Sequence, residues 1–207
     1  MIWAYFHGID FLIFHMPQKD FVDKDHPVMS DYYDFLDSER SPRKTEKKMM
    51  EFIKEDPQFL DPYLMLFELY QDEGDFKKAE EILDQAYKIA LKTVTDKKGN
   101  WPDEMLWGFL ENRHIIRTFL NKALNLWIKD KNEEALKLLR KLLRSNPRDN
   151  IGARNYILAI RLGMEFDQFE TKMRSQYGYD GKKMMEFEKK MKDFPDEFDW
   201  WFEVVKE

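Results

Sequence analysis

The fold is decided by the stretch at residues 60–91, LDPYLMLFELYQDEGDFKKAEEILDQAYKIAL. Counted from Leu60 as position 1, large apolar side chains occupy positions 4, 7, 11 and 24, and alanines occupy positions 20 and 27. Small side chains let two antiparallel helices approach closely, and large ones fill the space between them. The pattern predicts one helix over residues 61–70 and a second over residues 76–91, separated by a turn at Gly74.

Similar spacing recurs on both sides of this stretch. A frame beginning at Ile116 has apolar residues at positions 4, 11, 24 and 27, alanines at positions 8 and 20, and Pro147 at position 32. A weaker frame beginning at Asn150 follows it, with Phe169 at position 20 in place of a small residue. Upstream, Ser41 is suited to be the N-cap of a helix over about residues 43–55. The chain therefore contains several copies of one helical hairpin.

These hairpins resemble the tetratricopeptide repeat (TPR), a unit of 34 residues that stacks side by side with its neighbours. The resemblance covers about residues 43–91 and 116–163. It implies an all-α, right-handed solenoid of about eight to ten helices. Because Ala79 and Ala135 are 56 residues apart, we expect an insert at about residues 93–115 that interrupts the array.

A narrower resemblance rests on four segments: WGFLENR at 107–113, ALNLW at 123–127, EEA at 133–135 and NPRDN at 146–150. Their order is similar to that in bacterial TPR proteins related to the suppressor-of-tumorigenicity family. This sequence departs from that pattern at His114, where the group has proline, and at Arg148, where it has asparagine. The resemblance implies a helical-repeat interaction protein with no reaction attached.

The expected organisation has three parts. Residues 1–40 form an apolar and acidic arm packed on the repeats, and residues 41–175 form the TPR-like repeats with the insert. Residues 176–207 form capping helices over about 181–192 and 196–206, split by Pro195. Residues 28–36 also have a helical pattern, whereas the apolar segment 2–14 is compatible with a buried helix or a strand.

The composition excludes several classes of function. With no cysteine, the chain has no disulfide, thiolate zinc site, iron–sulfur cluster or cysteine nucleophile. The formal net charge of −6 argues against a dedicated nucleic-acid-binding protein. The apolar opening contains Asp10, lacks a basic n-region, and is shorter than the roughly 20 apolar residues of a membrane span. We therefore expect a soluble, cytoplasmic protein with no membrane association.

The sequence contains no motif for catalysis, a cofactor or a metal. G-x-S-x-G, Walker A and G-x-G-x-x-G patterns are absent, and the histidines lack zinc-site spacing. The histidines, which we expect to be structural, are His7, His15, His26 and His114. Glu111 and Arg113 are expected to form a partly buried pair that fixes the insert, with ligand contact as the alternative. We predict that the protein is not an enzyme.

Positions within the repeat predict which residues line a groove that could bind a partner. Trp127 and Arg161 fall at position 12 of the first helix in their frames, Arg154 at position 5 and Asn121 at position 6. Arginine and asparagine in a groove can hold a carboxylate or an acidic peptide. A receptor for C-terminal carboxylates is disfavoured by the leucines at clamp positions: Leu64, Leu120 and Leu124. The predicted function is a non-catalytic scaffold for a protein or peptide, and an acidic segment is one candidate partner.

Two alternatives remain open at this point. One basic helix face, within a segment at 116–163 of net charge +7, comprises Lys137, Arg140, Lys141 and Arg144. A solvated face is its default interpretation, followed by an acidic protein partner and then by nucleic acid. The other alternative is homo-oligomerisation, such as a homodimer, through the apolar residues 2–14.

Overall fold

The computed structural model describes residues 20–38 and 41–205, and within these ranges it is an all-α, TPR-like stack of helices. The helices are α1 Met29–Leu36, α2 Pro42–Glu55, α3 Asp61–Asp72, α4 Phe76–Val94, α5 Leu110–Ile128, α6 Asn132–Ser145, α7 Ala153–Arg161, α8 Phe166–Met173, α9 Gly181–Glu188 and α10 Pro195–Val204. The predicted fold class is confirmed. The apolar segment 2–14, on which the homo-oligomer prediction rests, lies outside the described residues, as do His7 and His15.

The first full hairpin consists of α3 and α4, which correspond to the two helices predicted from residues 60–91. Gly74 has a φ of +76° in the turn between them, a conformation that strains other residues. The side chain of Asp75 then caps α4 by accepting a hydrogen bond from the Lys78 amide at 3.2 Å. Ala79 and Ala86 are buried, as a close helix contact requires.

The second and third hairpins are α5–α6 and α7–α8. Ala123 and Ala135 are buried at the contact within the second hairpin. In the third hairpin, the ring of Phe169 fills the position of the expected small residue and lies 5.5 Å from the ring of Tyr156. The third hairpin therefore packs through aromatic rings where the others pack through alanine.

The insert between the first two hairpins, residues 95–109, consists of turns and irregular chain, and part of it packs on the core. Its turn forms around Asp96, whose carboxylate accepts the amide hydrogens of Lys98 at 2.8 Å and Asn100 at 2.9 Å. Further along, the Met105 amide donates to the Ser145 carbonyl at 2.8 Å, and the Met105 side chain is buried. These contacts attach the insert to the end of α6.

The described part of the N-terminal arm packs on the repeats. The Phe21 amide donates to the Glu104 carbonyl of the insert at 2.8 Å. In α1, the buried ring of Tyr32 packs 5.4 Å from the ring of Phe59 and 6.0 Å from that of Phe52. The arm therefore covers the side of the stack formed by α2 and the start of α3.

The C-terminal residues lie against α6 and α7. A short antiparallel pair that the sequence pattern did not predict, β1 Arg174–Ser175 and β2 Gly178–Tyr179, precedes α9. The predicted helix over 181–192 is α9 followed by a 3₁₀ helix at Lys189–Asp193. The indole of Trp201 in α10 donates to the Pro147 carbonyl at 2.7 Å. None of the helices in the described ranges is long and apolar enough to span a bilayer.

Replacing Leu139 of α6, which is fully buried, by alanine should lower the free energy of unfolding by about 2–5 kcal/mol, because the change leaves a cavity. Leu110→Ala is the matched control, since Leu110 is more than half exposed, and it should change stability by at most about 0.5 kcal/mol. Urea denaturation followed by circular dichroism measures both. Equal losses in the two variants would contradict the packing described for α6.

Candidate functional site

The two groove arginines predicted from the repeat phase contact carboxylates of the chain itself. Arg154 donates to Asp149 and to Glu188 of α9, each at 2.8 Å. Arg161 donates to Asp196 at 2.8 Å and to Glu197 of α10 at 2.7 Å. These ion pairs join α7 to the C-terminal helices, so the acidic groups that the arginines contact here are internal.

The other two predicted groove residues lie in different surroundings. Trp127 is only 2% exposed, its indole donates to the Met164 carbonyl at 3.0 Å, and its ring packs 5.3 Å from that of Phe166. Asn121 is half-buried on α5 and donates to the Arg117 carbonyl at 3.0 Å. The four residues therefore do not converge on one surface.

The predicted basic face of α6 is largely engaged within the molecule. Arg140 donates to both carboxylate oxygens of Glu197, at 2.8 and 2.6 Å. The guanidinium of Arg144 stacks 4.6 Å from a ring of Trp200, and the Lys141 ammonium lies 5.3 Å from Trp101. Lys137 is exposed on the same helix. Three of the four side chains thus hold α10 and the insert.

Glu197 attaches α10 to the second and third hairpins. Burial raises the pKa of its carboxyl group, but hydrogen bonds from Arg140 and Arg161 outweigh burial and lower the pKa below its ordinary value. The two arginines come from α6 and α7, so a single ionised side chain of α10 bridges two hairpins.

An open pocket of about 210 Å³ lies between α1, α3 and α5. One wall is an ion pair in which the Arg117 Nε donates to Asp61 at 3.0 Å and a second guanidinium nitrogen contacts the same carboxylate. The Tyr33 hydroxyl also donates to Asp61, at 3.3 Å. Asn121 lines the pocket beside this wall, and Leu64 contributes apolar surface.

Glu68 gives this first pocket its charge. In the part of the chain that the structure describes, its carboxylate has no hydrogen bond or ion pair, although Asp61 nearby is fully engaged. Glu68 is an exposed residue at the edge of this pocket. Partial desolvation by its surroundings raises the pKa of its carboxyl group, the negative charges of Asp72 and Asp61 raise it further, and Arg117 lowers it. The pocket therefore presents the Glu68 carboxyl group, which has no hydrogen bond or ion pair with a described residue.

A second pocket, of about 410 Å³, opens between α3, α4 and the end of α5. Phe76 and Ile128, which line it, are 70% and 50% exposed, which is high for side chains of this size. Asn125 also lines it and is only 8% exposed; its amide forms no hydrogen bond with any described residue, and its Nδ2 atom is buried. A buried amide without a partner is costly and is commonly satisfied by water or a ligand.

The two pockets are successive along the same pair of helices. The first uses Glu68 of α3 and Asn121 of α5, and the second uses Gln71 and Asn125, about one helical turn further along each helix. We call the surface formed by both pockets the α3–α5 groove. Leu120 and Leu124, at clamp positions in the sequence analysis, are half-buried on α5 beside it.

A buried network of histidines and aspartates lies below the start of α3. The Asp23 carboxylate contacts the Nε2 atoms of His26 at 3.1 Å and His114 at 3.0 Å. The Nδ1 atom of His26 lies 2.8 Å from Asp56, and the Nδ1 atom of His114 accepts the Leu60 amide hydrogen at 3.0 Å. The network joins the N-terminal arm to α5 and to the turn before α3.

The hydrogen bonds indicate which ring nitrogens carry a proton. Since Nδ1 of His114 accepts from a backbone amide, that ring is neutral and its proton is on Nε2, which donates to Asp23. His26 faces a carboxylate at each nitrogen and donates from both, as an imidazolium. Burial lowers the pKa of His114 despite its bond to Asp23, whereas the bonds of His26 to Asp23 and Asp56 overcome burial and raise its pKa.

The same proton assignment disfavours a metal ion at this cluster. Asp23, His26 and His114 are close enough together to hold one. Coordination through Nε2 of His114 would move its proton to Nδ1, where the Leu60 amide already points a hydrogen. The residues therefore fit a hydrogen-bonded network better than a metal site.

The sequence pattern missed this cluster because His26 and His114 are far apart in the chain and show no motif spacing. The predicted pair of Glu111 and Arg113 does not form among the described residues. Arg113 instead donates to the Trp107 carbonyl at 3.0 Å, and its guanidinium stacks 5.1 Å from that ring. Arg113 therefore fixes the insert, as expected, through Trp107.

The two histidines should give stability opposite dependences on pH. His26 has a raised pKa in the folded protein, so its contribution is complete below its ordinary value of 6.5 and is lost as the pH rises through the folded pKa. His114 has a lowered pKa, so its contribution is present above 6.5 and is lost as the pH falls. We expect His26→Gln to remove the alkaline loss of stability and His114→Gln to remove the acid loss.

Urea denaturation of the wild type and both variants, between about pH 5 and pH 9 where histidine titrates, measures this difference. If both variants were destabilised by the same amount at every pH, the proton assignment would be wrong. A Gln58→Ala variant, which removes a side chain that accepts only an exposed lysine bond, should keep the wild-type profile and is the control.

Comparison with known families gives one match. A family model described as tetratricopeptide repeat matches residues 61–93, which span α3 and nearly all of α4. No curated protein and no solved structure matches the chain. The match supports a tetratricopeptide-repeat protein, and repeats of this kind generally form non-enzymatic scaffolds for protein interactions.

Proposed function

We propose that this protein is a non-catalytic scaffold that binds a segment of a protein partner in the α3–α5 groove. The observation that carries the proposal is the unsatisfied chemistry of the groove. The buried amide of Asn125 has no hydrogen bond among the described residues, the exposed carboxylate of Glu68 has no ion pair there, and Phe76 and Ile128 expose large apolar surfaces. A bound segment would satisfy the polar groups and cover the apolar ones.

In this proposal the partner still binds in a groove between repeat helices, but most of the residues that contact it differ from those predicted from the sequence. Asn121 belongs to the α3–α5 groove. Arg154 and Arg161 would have to give up their ion pairs with the C-terminal helices before they could hold an acidic partner. Trp127 would have to leave the core. We therefore assign partner binding to the surface around Asn121 and assign the arginines to the attachment of α9 and α10.

The alternatives have less support. Nucleic-acid binding by the basic face would compete with the contacts that Arg140, Lys141 and Arg144 make within the molecule. Homo-oligomerisation through residues 2–14 stays a prediction outside the described ranges. Kinship with the suppressor-of-tumorigenicity-related proteins and a cytoplasmic location stay proposals, and both are compatible with an interaction scaffold.

Photo-crosslinking tests the proposal in cells of the source. A photoreactive amino acid in place of Gln71, inside the groove, should crosslink a partner, whereas the same residue at Lys98, in the exposed turn of the insert, should not. Ile128→Glu should reduce the crosslink at Gln71 at least about tenfold, because a charge would be buried by the bound segment.

Met50→Glu is the matched control, because Met50 is 51% exposed on α2, away from the groove. It should leave the crosslink unchanged. Crosslinks of equal strength from Gln71 and Lys98, or a crosslink at Gln71 that survives Ile128→Glu, would contradict binding in the α3–α5 groove.

A further inference from the structure

We infer that the α3–α5 groove recognises an extended segment in which a basic side chain and an apolar side chain are two residues apart. This inference rests on the proposed function and names the chemistry of the partner. It is based on the charge of the first pocket, the apolar lining of the second, and the distance between them along α3 and α5.

The first pocket is complementary to a lysine or arginine side chain. The charge of Asp61 is neutralised by Arg117, which leaves Glu68 and its neighbour Asp72 as unpaired carboxylates in the described chain. An acidic side chain would meet these two like charges, while a basic one would pair with Glu68. Leu64 supplies apolar surface for the aliphatic stem of the bound side chain.

The aromatic side of the first pocket favours the same ligand. Tyr33, which is exposed, lines the same pocket as Glu68, and its hydroxyl donates to Asp61 and accepts from Arg117, both at 3.3 Å. Its ring is therefore fixed in position and available to a cation. A guanidinium or ammonium group bound in this pocket would find both an aromatic ring and the Glu68 carboxylate in its lining.

The second pocket is complementary to an apolar side chain. Phe67 and Ala79 line its interior, and Phe76 and Ile128 line its opening. The ion pair between Glu80 and Lys129 lies at its edge, so the charges there are already compensated. Lys77, which also lines the pocket, lies 3.9 Å from Glu81 and extends into solvent. The exposed Phe76 ring and Ile128 side chain favour a leucine-like or aromatic side chain.

The asparagines of α5 suit the backbone of such a segment. Asn121 and Asn125 are one turn apart and each lines one pocket. A side-chain amide can both donate to a peptide carbonyl and accept from a peptide amide. The amide of Asn125 has no hydrogen bond within the described ranges, so a bound backbone would satisfy it.

The spacing of the pockets sets the spacing of the ligand. Four residues of a helix rise about 6 Å, which separates Asn121 from Asn125 along α5. Two residues of an extended chain rise about 6.6 Å, and side chains two residues apart point to the same side. A basic residue and an apolar residue in an i, i+2 relation therefore reach both pockets together, whereas an i, i+1 pair points to opposite sides.

Binding of synthetic peptides to the full chain tests the inference by fluorescence anisotropy. The probes are labelled peptides in polar, uncharged flanks that carry Arg-Ser-Leu, Leu-Ser-Arg, Glu-Ser-Leu or Arg-Leu. We expect one of the two i, i+2 basic peptides to bind at least about tenfold more tightly than the acidic and adjacent-residue peptides. The order of the preferred peptide then gives the direction of the bound chain.

Variants of the groove show whether the proposed contacts are used. Glu68→Gln should weaken the preferred basic peptide about tenfold and leave a peptide with norleucine in place of arginine unchanged. Glu55→Gln is the matched control, because Glu55 is an exposed glutamate of α2 outside both pockets. Circular dichroism of each variant confirms that the fold is retained.

The outcomes separate this inference from the proposed function. Short random peptides can be selected for binding to the wild type. If the selected ligands fail to bind Ile128→Glu, but lack a basic residue or are insensitive to Glu68→Gln, the inference is wrong and the scaffold function stands. Selection that yields no ligand dependent on Ile128 overturns both. Preferred binding of the acidic peptide overturns the inference alone.

Discussion

The close approach of paired helices at alanine is the constraint on which the rest of this structure depends. Ala79, Ala86, Ala123 and Ala135 are buried where the helices of a hairpin, or of neighbouring hairpins, meet. Their small side chains bring α4 against α3 and α6 against α5, and the same geometry sets α3 and α5 side by side. The α3–α5 groove is a result of this arrangement, since both of its pockets are lined by residues of these two helices.

Charge in this chain acts mainly between its own parts. The segment at 116–163, with its net charge of +7, contains Arg140, Arg154 and Arg161, and all three pair with carboxylates of the chain. Because of these ion pairs, the three arginines that the sequence pattern assigns to partner binding already have carboxylate partners within the chain. Glu68 is informative for the opposite reason, since it remains without a partner in the described ranges beside an ion pair that is complete.

The hairpins could be predicted from the sequence because their information is local. The spacing of alanines and large apolar residues places α3 and α4 nearly where the structure has them, whereas α5 begins at Leu110, inside the insert expected at about 93–115. The histidine network could not be predicted, because His26, Asp56 and His114 meet only after three separate elements have packed. The pairing of the groove residues could not be predicted either, because whether Arg154 or Glu68 has a partner depends on α9 and α5, which lie elsewhere in the sequence. The position of a residue in a repeat indicates which way its side chain points. Whether that side chain already has a partner within the chain depends on how the elements pack.

The ring of Phe169 has a consequence for how such an array can change during evolution. Repeat arrays lengthen by duplication, and a duplicated hairpin must pack against a surface of the same shape as the one that its original packs against. The third hairpin offers a phenylalanine where the others offer alanine, and its outer surface is covered by Phe187 of α9, whose ring lies 5.6 Å from that of Phe169. A duplicated hairpin placed after α8 would meet a mismatched surface, so this end of the array resists growth while the interior units retain a repeatable shape.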